Sequence, residues 1–131
     1  MKIVAKAVII DDKDYYLLMK RSAHPRFPGD PDLPGGTVEA GESSIEAMIR
    51  EVEEEAGITL DPHTVKHLFE GDTYSRHHTV YSLYEAHVKR RPTVHISWEH
   101  DSYEWVSREE FLARAHDAAD TYMHMVYAVL K

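Results

Sequence analysis

Residues 43–58 admit few conformations other than a helix, and that helix constrains what the rest of the 131-residue chain can become. Ser43 is a favourable N-cap, and Glu46 follows at the capping-box spacing, where side chains satisfy the first free backbone donors. Ile45, Met48, Ile49, Val52 and Ala56 recur at helical intervals and make one apolar stripe. Gly57 supplies the stop, since glycine takes the left-handed C-terminal conformation without strain. The same region is crowded with acid: Glu39, Glu42, Glu46, Glu51, Glu53, Glu54 and Glu55 stand against Arg50. Like charges three or four apart weaken a helix by roughly 0.2–0.5 kcal/mol per pair, so this crowding implies a cation. On a helical wheel Glu51, Glu54 and Glu55 share one sector beside the apolar stripe. Ala47 leaves space one turn earlier, and Glu46 is spaced to pair with Arg50 on the outer side.

Three carboxylates on one face suit a hard divalent cation, Mg²⁺ or Mn²⁺, of the kind held by carboxylates, water and substrate phosphate. The Leu33-Pro34-Gly35-Gly36 turn leads into this helix. Its two glycines let the backbone come close, so that a main-chain carbonyl near Gly35 adds another oxygen ligand.

Gly36 and Glu42 have five residues between them; seven more precede the run Arg50-Glu51-Val52-Glu53-Glu54-Glu55-Ala56-Gly57-Ile58. The pattern resembles the complete signature of the Nudix (MutT-type) hydrolases. A solvated acidic helix face is the commoner origin of a charge run, but it explains neither the glycine turn, the offset of Glu42 nor Gly57. The resemblance implies an α/β fold, a mixed β-sheet sandwiched between helices with the box as strand–loop–helix, in one domain over residues 1–131. It also implies hydrolysis of a phosphoanhydride (pyrophosphate) bond in a nucleoside-diphosphate-linked substrate, a nucleoside triphosphate or a dinucleoside polyphosphate. By the same resemblance Glu51, Glu54, Glu55 and the Gly35 carbonyl hold the Mg²⁺ or Mn²⁺, and Arg50 and Glu42 orient the cluster. Gly36, Glu42 and Gly57 support the site. A catalytically silent, nucleotide-binding sensor is the alternative, and intact carboxylates argue against it. A nucleotide-sugar specialist fits less well, for want of an N-terminal dimerising segment and a downstream proline.

Further positions follow from the same resemblance. Glu99-His100-Asp101-Ser102-Tyr103-Glu104-Trp105 resembles the Glu-His-x-x-Tyr-x-Trp element of several Nudix subfamilies, where a carboxylate reaches the metals or activates water. The general base is therefore Glu54 or Glu99, with Asp101 and Glu104 as substitutes for the latter. Arg21 matches a phosphate contact at a strand end, and a solvated charge explains it equally well. Tyr74 stands near a pocket tyrosine of dinucleoside-polyphosphate enzymes; an ordinary strand aromatic is the competing reading. Pro31 occupies a position where many members carry an aromatic.

The remaining chain predicts strands at Lys2–Ile10 and Tyr15–Arg21 around a polar turn, then a loop over Ser22–Asp32 carrying His24, Arg26 and Phe27. After a turn at Asp61-Pro62, strands are expected at His67–Tyr74, His78–Lys89 and Trp98–Val106. Arg90 and Arg91 form a surface pair. Ser107 with Glu110 opens a short helix, and a second runs from Asp117 with Tyr122, Met125, Val126, Val129 and Leu130 on its apolar face. Ten histidines raise the question of zinc, but no pair has a zinc-site spacing, and His77 and His78 would point to opposite faces of a strand. A net charge of −8 argues against a nucleic-acid duplex as partner. Absence of cysteine fits a cytoplasmic location. No apolar run approaches a membrane span, and Lys6 interrupts the run after Met1-Lys2 that superficially suggests a leader. A small-molecule substrate and a monomer or homodimer are expected.

Overall fold

The apolar run near the N-terminus becomes the strand from which the sheet is laid out. The computed structural model describes residues 1–22 and 26–131. Strand β1 (Ile3–Ile10) pairs in parallel with β6 (Val80–His87) along its whole length, and β5 (Val65–Gly71) lies antiparallel beyond β6. The other edge of β1 has two partners. Its C-terminal end meets β2 (Tyr16–Arg21) at the single pair Ile10–Tyr16, across a turn in which the Asp11 carboxylate accepts the N–H groups of Lys13 and Tyr15. Its N-terminal half pairs with β4 (Gly35–Thr37), Val4 opposite Thr37 and Lys6 opposite Gly35. β2 carries β7 (His100–Val106) on its far edge and the two-residue β3 (Pro31–Asp32) on the near one.

Both faces of this seven-stranded mixed sheet are covered by helices. α1 (Ser44–Ala56) sets Met48, Val52 and Ala56 against Ala5, Ala7, Ile9, Leu17 and Met19. On the opposite face α2 (Arg108–Asp117) and α3 (Thr121–Leu130) bring Phe111, Ala115, Met123, Met125 and Val126 against Val8, Ile10, Leu18 and Leu83. Each large side chain buried in this way contributes roughly 1.5–3 kcal/mol. The two-residue period of β1 sorts its odd positions toward α1 and its even ones toward α2 and α3, so Lys6 falls in an apolar row.

The α1 expectations hold: the Ser43–Glu46 capping box is complete, and Gly57 ends the helix in the left-handed conformation. Glu46 is consumed by that box and Arg50 pairs elsewhere, so the expected Glu46–Arg50 pair does not form among the described residues. Part of the expected loop is the strand β3. β5 starts earlier than expected and ends at Gly71, before Tyr74; α3 begins at Thr121, after a break at residues 118–120. His24 lies outside the described residues. No helix of the described residues is long and apolar enough to cross a membrane.

Candidate active site

Because β1 and β2 touch at one corner, they part toward the other end, and the gap opens into a cavity of about 490 Å³. Strand ends supply its walls: Lys6 from β1, Arg21 from β2, Asp32 from β3 and Gly35–Thr37 from β4. Glu55 of α1, the Glu99-His100 pair, residues 75–77 and residues 119–122 leading into α3 add to them.

Of the helix glutamates only Glu55 lines this space; Glu51 lies against the glycine turn, and neither it nor Glu54 is among the lining residues. A Cβ on Gly36 would lie 2.8 Å from the Glu51 carboxyl carbon, and one on Gly35 would lie 2.4 Å from the Ala5 carbonyl oxygen, so neither position takes a side chain. The Gly35 N–H donates to Glu55 Oε2 at 3.1 Å. Glu55 is 4 % exposed, and its burial pushes the carboxyl up to about 8, against the opposing pull of Lys6 and the Gly35 N–H. Arg50 gathers the others. Its Nε and one terminal nitrogen hold Glu42 at 2.7 and 2.9 Å, and the second terminal nitrogen reaches Glu51 at 2.8 Å and Glu54 at 3.4 Å. Glu54 is the most exposed of the three. Among the described residues no three carboxylate or imidazole groups already converge as a closed metal cage. The donor set nevertheless fits a hard divalent ion. It offers carboxylate oxygens beside a side-chain-free turn, and a buried carboxyl whose ionisation a dication favours.

Beyond Gly35 lies a buried ionic cluster. Asp32 Oδ1 accepts from Lys6 Nζ at 2.6 Å, and Oδ2 from His100 Nε2 at 3.0 Å, with Arg21 Nε at 3.4 Å. Burial alone would raise the Asp32 carboxyl, but Lys6, His100 and Arg21 together hold it well below the usual carboxylate range. Arg21 reaches on to Asp120 at 2.6 Å, and Asp120 also caps α3 by accepting the Tyr122 N–H. The Asp30 carboxylate accepts the N–H groups of Ala119 and Asp120, tying the α2–α3 connection to the loop before β3. Tyr122 donates its hydroxyl to the Ser82 carbonyl at 2.6 Å, below the Lys6 ammonium.

Comparison with known proteins gives a consistent answer. The family profile described as NUDIX domain matches residues 1–126. The chain belongs to the Nudix family. The nucleoside triphosphatase NudI of Klebsiella pneumoniae subsp. pneumoniae is 38 % identical over 112 residues, covering 78 % of this chain and 79 % of that protein. An ADP-ribose pyrophosphatase of Methanocaldococcus jannaschii is 47 % identical over 55 residues, 42 % of this chain and 32 % of that one. Among solved structures, the MutT protein of Methanosarcina mazei Go1 superposes with a TM-score of 0.75 at 31 % identity, covering 96 % of this chain and 89 % of that one. The protein is thus a Nudix hydrolase, an enzyme of the pyrophosphohydrolase class.

Within this Nudix hydrolase Gly35, Glu55 and Glu99 border the cavity, while Glu51 is held by Arg50, lies against Gly36 and is linked to Glu42 only through Arg50. Arg21 also borders it, but its guanidinium is engaged by Asp32 and Asp120. Tyr74 packs edge-on against Phe69 and is absent from the cavity lining, where the neighbouring Ser75, Arg76 and His77 stand instead. Glu104 pairs with Arg114, and Asp101 is exposed. Arg91 pairs with Asp11 and lies over Tyr15 and Trp105, outside the lining. Lys6, Asp32 and Tyr122 escaped the sequence reading. The signal for Lys6 was there: one charge in an otherwise apolar strand, where a buried amine requires a buried carboxylate.

Proposed function

We propose that this Nudix hydrolase breaks a phosphoanhydride bond of a nucleoside triphosphate by attack of water, with Mg²⁺ or Mn²⁺ as cofactor. One observation carries the reading: the cavity offers both charges that a polyphosphate needs. Lys2, Arg26 and Arg76 line it and make no ion pair among the described residues, in a chain of net charge −8. Gly35, Glu55 and Glu99 line the same space. Glu51, Glu54, Glu55 and the Gly35 carbonyl would hold the ion, which when bound withdraws charge from phosphate and lowers the pKa of water.

The chain's own residues do the rest. The unpaired cations bind the phosphates and stabilise charge developing on the leaving group. Arg50 fixes the orientation of Glu51. Glu54 or Glu99 takes the proton of the attacking water as its oxygen bonds phosphorus and the bridging P–O bond breaks. Similarity to NudI over most of both chains favours a nucleoside triphosphate; the ADP-ribose pyrophosphatase match is confined to 55 residues.

The test is a metal-dependent screen of phosphate and pyrophosphate release over nucleoside triphosphates, dinucleoside polyphosphates, ADP-ribose and nucleotide sugars. A nucleoside triphosphate is expected to give the highest kcat/KM, abolished by chelation. A higher value for another class would reassign the substrate, and tight binding without turnover would support a sensor.

A further inference from the structure

One residue on the cavity wall is held in a backbone conformation that its type resists. Phe27 has φ 52, in the left-handed region, where a bulky side chain is a rare and costly occupant. It also precedes Pro28, which pushes its neighbour toward extended backbone. Glycine or asparagine would sit there with less strain. The turn that follows is tight and braced. The Asp30 N–H donates to the Phe27 carbonyl at 3.0 Å across Pro28 and Gly29, the latter at φ 80. The Gly29 N–H donates to the Arg21 carbonyl, and the Asp30 carboxylate holds the backbone of Ala119 and Asp120. Strain of this kind persists where its surroundings over-determine it, and it clusters at ligand-binding positions.

None of these braces uses the Phe27 ring. Phe27 borders the cavity and is 37 % exposed, so it is no part of either apolar core. Two other phenyl-type rings border the same space, Tyr81 and Tyr122, and both are closed off. They are buried against each other with centroids 4.9 Å apart, and their hydroxyls are bonded to Thr121 Oγ1 and the Ser82 carbonyl. The guanidinium carbons of Arg21 and Arg26 lie 5.9 and 6.0 Å from the centre of the Phe27 ring, and both arginines border the cavity. An accessible aromatic ring on a rigid turn, flanked by cations, matches a ligand that joins a flat π-surface to anionic groups. A nucleotide has that chemistry: its base stacks on an aromatic ring whatever its hydrogen-bonding edge.

We propose that Phe27 is a binding and specificity-determining residue, the platform on which the nucleobase of the substrate stacks. The proposal rests on the nucleotide-hydrolase reading above. A purine overlaps the ring more than a pyrimidine does, so purine nucleotides gain more from it.

The test is steady-state kinetics of Phe27→Leu, Phe27→Gly and Phe27→Trp on the preferred nucleoside triphosphate, with magnesium tripolyphosphate, which carries no base, as competing inhibitor. Phe27→Leu keeps an apolar side chain but no ring. It should raise KM about tenfold or more, change kcat less than about threefold, and leave the tripolyphosphate inhibition constant within about twofold of wild type. Phe27→Gly relieves the backbone, so it should melt no lower than wild type while sharing the raised KM. Phe27→Trp should keep KM near the wild-type value. Its emission, read against the background of Trp98 and Trp105, should be quenched by the nucleotide and not by tripolyphosphate. Should the truncated variants fail to fold, that quenching decides alone, and its absence would overturn the assignment. KM unmoved in Phe27→Leu and Phe27→Gly, or tripolyphosphate weakened as much as the nucleotide, would also overturn it. A lower melting temperature in Phe27→Gly with KM unmoved would make the ring a structural prop instead. Turnover with KM indifferent to Phe27 defeats this inference alone, whereas no turnover of any nucleotide defeats the reading beneath it and this inference with it.

Discussion

Arg50 organises the box glutamates at the level of single side chains. Its fork holds both oxygens of Glu42, a two-point contact that lysine cannot reproduce, and its remaining nitrogen restrains Glu51. Glu54 is different. It is largely exposed and touches Arg50 weakly, so Glu54→Gln should leave the melting temperature unchanged while lowering kcat by about a hundredfold or more. Retention of full activity in a steady-state assay would remove Glu54 from the mechanism. Acid stability belongs to the same scale. The hydrogen bond from Arg50 lowers Glu42 from 4.5 to about 2, and Asp32 is depressed from 3.8 in the same direction. A depressed carboxyl stabilises the fold above its unfolded pKa, and that contribution fades as pH falls through the folded value. Melting temperature should therefore drop between about pH 5 and about pH 2, and the slope should be shallower in Glu42→Gln. Asp32→Asn removes the carboxylate partner of the buried Lys6 ammonium, while Arg21 keeps Asp120, and should cost about 3–5 kcal/mol at neutral pH in denaturant unfolding.

The elements differ in how visibly the chain announces them. α1 was legible because its signals are local: Ser43 and Glu46 at one end, Gly57 at the other, and an apolar stripe between. β3 was not, since it has two residues, one of them proline, and exists because β2 presents a free edge. The break between α2 and α3 was legible, but not its position at residues 118–120. It is fixed by Asp30, whose carboxylate holds the backbone of Ala119 and Asp120 from far away in sequence. For the site, the box could be read but the Asp32 cluster could not, because Lys6, Asp32 and His100 meet only after three strands have paired. Two glycine substitutions separate support of the helix from support of the site. Gly57→Ala places a side chain at φ 70 and should destabilise by about 1 kcal/mol with kcat unchanged. Gly36→Ala pushes a methyl group into the Glu51 carboxylate; it should lower kcat/KM by more than about tenfold, measured beside a Gly57→Ala control.

For the whole molecule, the two-sided burial of β1 and β6 explains why simple alternation of polar and apolar residues is missing there. Tyr84 and Ala86 serve the α1 side, Tyr81 and Leu83 the other, and central strands of a sandwich are apolar in both rows. The two cores can be perturbed separately. Phe111, fully buried on the inner face of α2 and outside the cavity lining, should on truncation to alanine cost about 3–5 kcal/mol in denaturant unfolding and leave kcat unchanged at low temperature.

The corner contact between β1 and β2 has a mechanical meaning. Two half-sheets meet at the single pair Ile10–Tyr16, and the Lys6–Asp32 bridge ties them across the gap like the rivet of a pair of shears. From that pair to the start of β1 is a lever of roughly 23 Å, at about 3.3 Å per residue. A swivel of only about 2° at that pair would therefore displace the far tip by about 0.8 Å, close to the length scale on which in-line geometry is won or lost.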